Sequence, residues 1–189
     1  MGLKTNNLRN LLNEGINVFE FKEVFNLEEL INYSKLNNKF TIRFDRNDNI
    51  YNLPFYKYDN NLDLKEIYNE AKSMNCTLLL SNGYKYDKNL LFNFVIDTDS
   101  NNNFILELCD KKIPLRDMYK NTTTIIKGNL FNNNYEYINK DNNIYTIEDI
   151  KKVIDFVLKI EIKYHYIEGT LYNMELGLLN KDIIVWETK

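Results

Sequence analysis

The chain of 189 residues contains little cysteine, histidine and glycine, and each shortage excludes a class of protein. Its two cysteines, Cys76 and Cys109, are too few for the disulfide framework of a small secreted domain. The single histidine, His165, has no nucleophile beside it in a triad signature, and with two distant cysteines it makes no zinc site. The six scattered glycines form neither a Walker phosphate loop nor a G-x-G-x-x-G motif.

Long apolar runs and an excess of one charge are also missing. No segment approaches the length of a membrane span, and Met1 to Asn17 lacks the apolar region of a signal peptide. The chain has 24 basic and 27 acidic residues, a formal net charge of -3, so no broad basic surface for nucleic acid or membranes is expected. These features predict a reduced, cytoplasmic protein whose two thiols are buried packing residues.

What is present is material for a hydrophobic core. Hydrophobic residues make up 44% of the chain and aromatic residues 14%, which argues against intrinsic disorder. The length favours a single domain over residues 1–189, with room for two lobes.

Apolar periodicity predicts four helices. They are expected near Lys4–Glu14, Glu28–Leu36, Leu64–Met74 and Ile147–Ile162. Gly15 is expected to end the first helix, while Asn26 and Asp63 are expected to cap the second and third. Thr146 and Asp149 have the spacing of a capping box, although the box proper has Glu or Gln at its last position.

Alternating or apolar stretches predict antiparallel strands between these helices. The segments are KFTIRFD, TLLLS, LLFNFVID, NFILELC and TTTIIKGNLF, with a closing hairpin around Asn180-Lys181 that pairs Ile183–Trp186 with Tyr166–Met174. Pro54 bars a central strand in the segment around it, and NNNYEYINKDNN is expected to be a polar connection. In DTDSNNNFILEL, Asn102 and Leu108 replace the glycine and glutamate of a calcium loop, which favours an ordinary hairpin turn. The order of elements is that of an α+β protein.

The opening of the chain, GLKTNNLRNLLNEGINVFEFKEV, resembles the first segment of the ATP-binding domain of phosphoenolpyruvate synthases and pyruvate phosphate dikinases. That family opens with Gly-x-Lys, then Asn-Leu-x-x-Leu, then Gly-Ile/Leu-x-Val and an aromatic residue. The matching residues are Gly2, Lys4, Asn7, Leu8, Leu11, Gly15, Ile16, Val18 and Phe21. Phe19 stands where the family has proline.

Two middle segments resemble the same domain in the same order. FTIRFDRNDNIYNLPF places Arg43 at the family's strand arginine, but Phe44 and Asp45 replace the two serines that follow it. In TLLLSNGYKYDKNLLFNFVID, the family's Gln-Glu pair on the adenine-contacting strand falls near Ser81 and Asn82.

The end of the chain resembles the closing helix and hairpin of that domain. Glu168 falls at the metal-binding acid of an Asp-x-Glu pattern. Glu187 and Lys189 fall at the Gln and the Arg of a Gln-x-Arg ending. The resemblance covers nearly the whole chain in a shortened form, and the order of the motifs carries it.

The resemblance implies an ATP-grasp-like α+β fold, in which two lobes with mainly antiparallel sheets and flanking helices grip a nucleotide. It implies ATP and Mg²⁺ as cofactors. The implied nucleotide-binding residues are Lys4, Arg43, Ser81 and Asn82, and the implied metal-binding residues are Glu168 and Glu187. The resemblance also implies that the cations and acids converge in one cleft.

Three functions stay open at this point. The first is an Mg-ATP-binding protein or enzyme with an unspecified acceptor. The second is a non-catalytic relative of the same fold that serves as a protein-interaction module or inhibitor, such as a mobile-element product, and the lost serines favour it. The third is a nucleic-acid binder that uses Tyr84, Lys85, Tyr86 and Lys88, which the acidic pI of about 5.3 disfavours.

Overall fold

A computed structural model describes residues 2–48, 53–86, 88–110, 124–132, 134–139, 145–165, 173–180 and 182–188. Contacts divide the chain into two compact units. The first unit comprises Met1–Glu14 and Phe19–Asp87, and the second comprises Gly15–Val18 and Lys88–Lys189.

The first unit contains a four-stranded antiparallel sheet, called here the small sheet, with strand order β1-β4-β2-β3. Its elements in chain order are α1 (Leu3–Asn13), β1 (Phe21–Val24), α2 (Leu27–Leu36), β2 (Phe40–Asp45), β3 (Phe55–Tyr58), α3 (Leu64–Ser73), β4 (Thr77–Ser81) and a 3₁₀ turn (Gly83–Tyr86). Strand β3 follows Pro54 directly and lies at the sheet edge, where a preceding proline breaks no ladder.

The helices of the first unit begin and end at the expected signals. The side chain of Asn26 accepts a hydrogen bond from the backbone N–H of Glu29 at 2.9 Å. Asp63 accepts from the first-turn N–H groups of Lys65 and Glu66. Gly15 follows α1 with a φ of 74°, the left-handed conformation that glycine adopts without strain.

Both faces of the small sheet carry helices. One face forms the unit's core with α2 and α3, through buried side chains such as Phe40, Ile42 and Phe44. On the other face, α1 is tied to β1 by the ion pair of Arg9 and Glu23, at 3.0 Å. The polar positions of β2 therefore lie on the α1 side of the sheet.

The second unit contains a six-stranded antiparallel sheet, called here the large sheet, with strand order β10-β9-β5-β6-β7-β8. Its elements are β5 (Leu90–Thr98), β6 (Asn103–Asp110), β7 (Thr124–Asn129), β8 (Tyr135–Asn139), α4 (Ile147–His165), β9 (Asn173–Leu179) and β10 (Ile183–Thr188). The predicted capping box of α4 is complete, because Thr146 N–H donates to the Asp149 carboxylate and Asp149 N–H donates to the Thr146 hydroxyl. The shorter Asp serves where Glu or Gln is usual.

The predicted α+β class and all four predicted helices are confirmed. Two details of the strand prediction are wrong. The polar connection contains strand β8, whose Asn-rich flanks concealed the tyrosines alternating within it. Ile183, Ile184 and Val185 of the closing strand are opposite Leu178, Gly177 and Leu176, and not opposite Tyr166–Met174 as predicted. The reason is that the strands are already joined at Leu179, whose N–H donates to the Asp182 carbonyl at 2.7 Å. None of the helices in the described ranges is long and apolar enough to cross a membrane.

Candidate functional site

The two faces of the large sheet differ in chemistry. One face packs against α4, and its buried residues include Phe94, Ile96, Leu106, Ile126 and Leu176. A hydrogen bond of 2.9 Å between the Thr98 hydroxyl and Glu161 of α4 confirms which face the helix covers. The opposite face, called here the acidic face, carries Asn93, Val95, Asp97, Ile105, Glu107, Ile125, Lys127, Glu175, Gly177, Ile184 and Glu187.

Three glutamates form a line across the acidic face. Glu187 of β10 is directly opposite Glu175 of β9. Glu175 is in turn opposite Val95 of β5, and Val95 is opposite Glu107 of β6. Because neighbouring strands lie about 4.7–4.9 Å apart, Glu175 and Glu187 are adjacent, and Glu107 lies two strand spacings from Glu175. This line of carboxylates, called here the acid row, is the main polar feature of the face.

A β-bulge brings Glu187 into this line. The pairing of β10 with β9 shifts between Val185 and Glu187, so Trp186 is an extra residue in the strand. Without the bulge, simple alternation would place Glu187 on the same face as Val185, which points toward α4. The bulge therefore transfers Glu187 to the acidic face, a role that bulges often have beside functional sites.

The sequence-based prediction of metal ligands included Glu187 but omitted Glu107 and Glu175. The signal for both was present, because each alternates with buried apolar neighbours in its strand and so belongs to the opposite face. Glu187 is buried, whereas Glu107 and Glu175 are half-buried. The other predicted metal ligand, Glu168, lies outside the described residues. Within the described ranges, no three acidic, histidine or cysteine side chains are close enough to hold a metal ion by themselves.

Arg43 and Ser81 lie on the same face of the small sheet. Ser81 is opposite Thr41, and their hydroxyl oxygens are 2.5 Å apart. Arg43 lies two residues from Thr41 on β2, and its guanidinium carbon is 5.3 Å from the ring centroid of Phe55. This cation–π contact holds the planar guanidinium in place.

The other two predicted nucleotide-binding residues occupy helix and strand ends. Asn82 follows β4 and donates to the side-chain oxygen of Asn37 at 3.5 Å. Lys4 lies in the first turn of α1, and its backbone N–H donates to the carboxylate of Asp45 at 3.1 Å. This bond fixes the backbone of Lys4 at the start of the helix.

Asp45 closes the amino-terminal end of α1. Besides the bond from Lys4, it accepts hydrogen bonds from the backbone N–H of Thr5 at 2.9 Å and from the Thr5 hydroxyl at 2.7 Å. The end of a helix attracts anions because its N–H groups are unpaired and its dipole is positive there. Here the chain's own carboxylate fills that position.

The turn between β5 and β6 is an ordinary hairpin turn. The carboxylate of Asp99 accepts hydrogen bonds from the backbone N–H groups of Asn101 and Asn103 and from the Asn103 side chain. The bonds from Asn103 in particular lower the pKa of Asp99. These contacts stabilise the turn.

Two of the four residues considered for nucleic-acid binding, Lys85 and Tyr86, contact another part of the first unit. Lys85 forms an ion pair with Glu20, and the hydroxyl of Tyr86 accepts a hydrogen bond from the backbone N–H of Glu20 at 3.0 Å. These contacts anchor the 3₁₀ turn.

Comparison with known proteins identifies the fold. No protein-family model and no curated protein sequence matches the chain. Among solved structures, carboxyaminoimidazole ribonucleotide synthase from Aspergillus clavatus, complexed with ATP, matches 98% of this chain with a TM-score of 0.56 and 13% identity. D-alanine–D-alanine ligase from Bacillus anthracis matches 98% of it with a TM-score of 0.51 and 14% identity. Phosphoribosylamine–glycine ligase from Thermotoga maritima matches 100% of it with a TM-score of 0.51 and 17% identity.

The chain spans about half the length of these three proteins, namely 43%, 56% and 47% of them respectively. All three are ATP-grasp enzymes. At such low identity the likeness concerns the fold alone, and it agrees with the two antiparallel sheets and flanking helices. The chain therefore has an ATP-grasp-like α+β fold.

Proposed function

We propose that this protein binds Mg-ATP, with the acid row of the large sheet holding the metal ion. The observation that carries the proposal is the placement of Glu107, Glu175 and Glu187 in one line on the sheet face opposite α4. Support comes from the fold, which is shared with a synthase solved in complex with ATP.

The residues of the acid row fit magnesium. Mg²⁺ prefers oxygen ligands and is commonly held by one or two carboxylates together with substrate phosphates and water. Glu175 and Glu187 provide such a pair on adjacent strands. Like charges directly opposite one another destabilise a sheet, and a divalent cation bound to both would relieve that repulsion. The bound ion would neutralise phosphate charge.

The four residues that the resemblance assigns to the phosphates and the base lie in the first unit. Arg43 suits phosphate oxygens because its guanidinium donates two parallel hydrogen bonds, and Lys4 adds a point charge. Ser81 and Asn82 fall near the Gln-Glu pair on the adenine-contacting strand of the resembled family. The sequence resemblance supports a more specific proposal, namely that the protein transfers a phosphoryl group as phosphoenolpyruvate synthases do.

One observation favours the alternative of a non-catalytic interaction module. Asp45 stands where the resembled family has serine, and its carboxylate occupies the amino-terminal end of α1. A negative charge at this point disfavours a phosphate in the same place. The alternative predicts a folded protein without affinity for Mg-ATP.

Titration calorimetry with Mg-ATP tests the proposal. The wild-type protein should release or absorb heat in a saturable way, and the double variant Glu175→Gln/Glu187→Gln should bind at least roughly tenfold more weakly, because it loses two charged ligands. Glu148→Gln/Asp155→Asn removes the same charge from exposed positions of α4 and is the matched control. No heat with folded wild-type protein would leave the interaction module as the better account.

A further inference from the structure

Trp186 crosses a whole strand to reach Asn93. It is the extra residue of the bulge in β10, and its indole N–H donates to the amide oxygen of Asn93 on β5 at 3.2 Å. Strand β9 lies between the two, and the residue under the indole is Gly177. A Cβ atom at Gly177 would be 2.8 Å from the indole ring, so only glycine leaves room for this crossing.

The hydrogen bond fixes the orientation of the Asn93 amide. An indole N–H is a donor only, so the group that faces it must be the amide oxygen. The NH₂ group of Asn93 is therefore turned away from Trp186. Asn93 is only 6% exposed.

Asn93 lies beside the acid row. It is opposite Gly177 on one side, and Glu175 lies two residues earlier on that strand. On the other side, in β6, Cys109 is opposite Asn93. Glu107, two residues before Cys109, is therefore a diagonal neighbour of Asn93. Diagonal neighbours on one face are about 7–8 Å apart, within the span of a metal-bound phosphate group. The amide NH₂ group is a neutral hydrogen-bond donor, so it adds no charge to this acidic surface.

We propose that Asn93 is a ligand-binding residue of the acidic face, whose NH₂ group donates to a phosphate oxygen, and that Trp186 is the positioning residue that orients it across Gly177. The inference rests on the proposed function, since it assigns a phosphate contact beside the proposed metal site. The inference adds a hydrogen-bond donor that the sequence alone did not indicate. The contact between Trp186 and Asn93 depends on the bulge in β10 and on Gly177 in β9, the strand between them.

The variant Asn93→Asp separates ligand binding from structure. Aspartate has nearly the same shape as asparagine and still accepts the hydrogen bond from Trp186, but it has no NH₂ group and adds a negative charge. We expect its affinity for Mg-ATP to fall at least roughly tenfold, as for a lost hydrogen bond to a charged group. Trp186→Phe, which removes the orienting donor, should weaken binding in the same direction. Asn101→Asp, at an exposed turn position, is the control for the added charge.

Trp186 is the only tryptophan of the chain, so its fluorescence can report binding in the wild-type protein and in Asn93→Asp. Binding to Trp186→Phe, which has no tryptophan, is measured by calorimetry. The probes are Mg-ATP and magnesium tripolyphosphate, and circular dichroism confirms folding. If Trp186→Phe fails to fold, Asn93→Asp decides alone, because it keeps the contact with Trp186.

The outcomes separate this inference from the proposed function. Wild-type affinity in both Asn93→Asp and Trp186→Phe would overturn the inference and leave Mg-ATP binding intact. Binding of tripolyphosphate but not of ATP, weakened by Asn93→Asp, would support the inference and overturn nucleotide binding. If the wild-type protein binds neither probe, both are overturned.

Discussion

The carboxylate of Asp45 holds Thr5 by two hydrogen bonds, one from the backbone N–H at 2.9 Å and one from the hydroxyl at 2.7 Å. Both residues are buried. The contact joins the last residue of β2 to the first turn of α1, so a strand carboxylate serves as the cap that α1 lacks in its own sequence. The contact explains how α1 is capped although Gly2 at its N-cap position has no side chain to do so.

Asp45→Ala should destabilise the first unit by about 2 kcal/mol, at the upper end of the loss of a helix cap, because buried N–H groups lose their acceptor. Urea denaturation measures the change. Asp48→Ala, which removes an exposed carboxylate paired with Arg46, should cost less than about 1 kcal/mol, as expected for a surface ion pair.

The same contact predicts an effect at Gly2. A Cβ atom there would lie 2.0 Å from the carboxyl carbon of Asp45, so Gly2→Ala must displace that side chain. The substitution should destabilise the wild-type protein and have a much smaller effect in the Asp45→Ala background. Equal effects in both backgrounds would show that the glycine serves another purpose.

The bond between the Tyr56 hydroxyl and the Glu70 carboxylate, 2.5 Å long, predicts a loss of stability at alkaline pH. The bond to Glu70 and partial burial raise the pKa of Tyr56 from 10.0 to about 12. Since the folded state favours the protonated phenol, the contribution is complete below pH 10 and is lost as the pH rises toward about 12. Between about pH 9 and about pH 11.5, the free energy of unfolding should fall more for wild-type protein than for Tyr56→Phe. Parallel curves would contradict this assignment.

Truncation after Asn180 should abolish folding of the second unit. It removes β10, whose buried Ile183, Ile184 and Val185 are worth about 1.5–3 kcal/mol each, a sum comparable with the ~5–15 kcal/mol stability of a typical domain. Val185 also donates a backbone hydrogen bond to Asn17. Near-ultraviolet circular dichroism and a melting curve would test this, and an unchanged melting temperature would contradict it.

Arg43→Ala should weaken Mg-ATP binding at least roughly tenfold, because a hydrogen bond to a charged phosphate is worth about 1.5–3 kcal/mol. The fold should stay intact, since Arg43 is only half-buried on its strand. Lys72→Ala removes an exposed cation of α3 and controls for the change in net charge. Equal affinity of the Arg43 and Lys72 variants, measured by calorimetry, would remove Arg43 from the proposed site.

Local signals in the sequence predicted most of the fold. The helices follow from apolar periodicity and from caps such as Asn26 and Asp63, which act within one turn of the chain. Strand β8 was missed because its tyrosines lie among asparagines that are typical of turns.

The candidate site was only partly predictable. Glu187 was proposed from resemblance, but its position on the acidic face depends on a bulge at Trp186 that no local pattern indicates. Glu175 and Glu107 follow from strand alternation, yet their alignment requires the register of four strands. The expectation that Lys4, Arg43, Glu168 and Glu187 share one cleft stays a prediction, because Glu168 lies outside the described residues and Glu187 belongs to a different unit from Arg43.

The most direct test of the central claim is to locate the metal ion on the large sheet. Mn²⁺ substituted for Mg²⁺ in the complex with ATP broadens the NMR signals of nearby methyl groups. Val95 and Ile125, which lie in or next to the acid row, should lose intensity first, and Ile150 and Val157 of α4, on the other side of the sheet, should lose it last. Preferential loss at α4, or no loss at any methyl group with ATP present, would contradict the proposal that the acid row binds the metal–nucleotide complex.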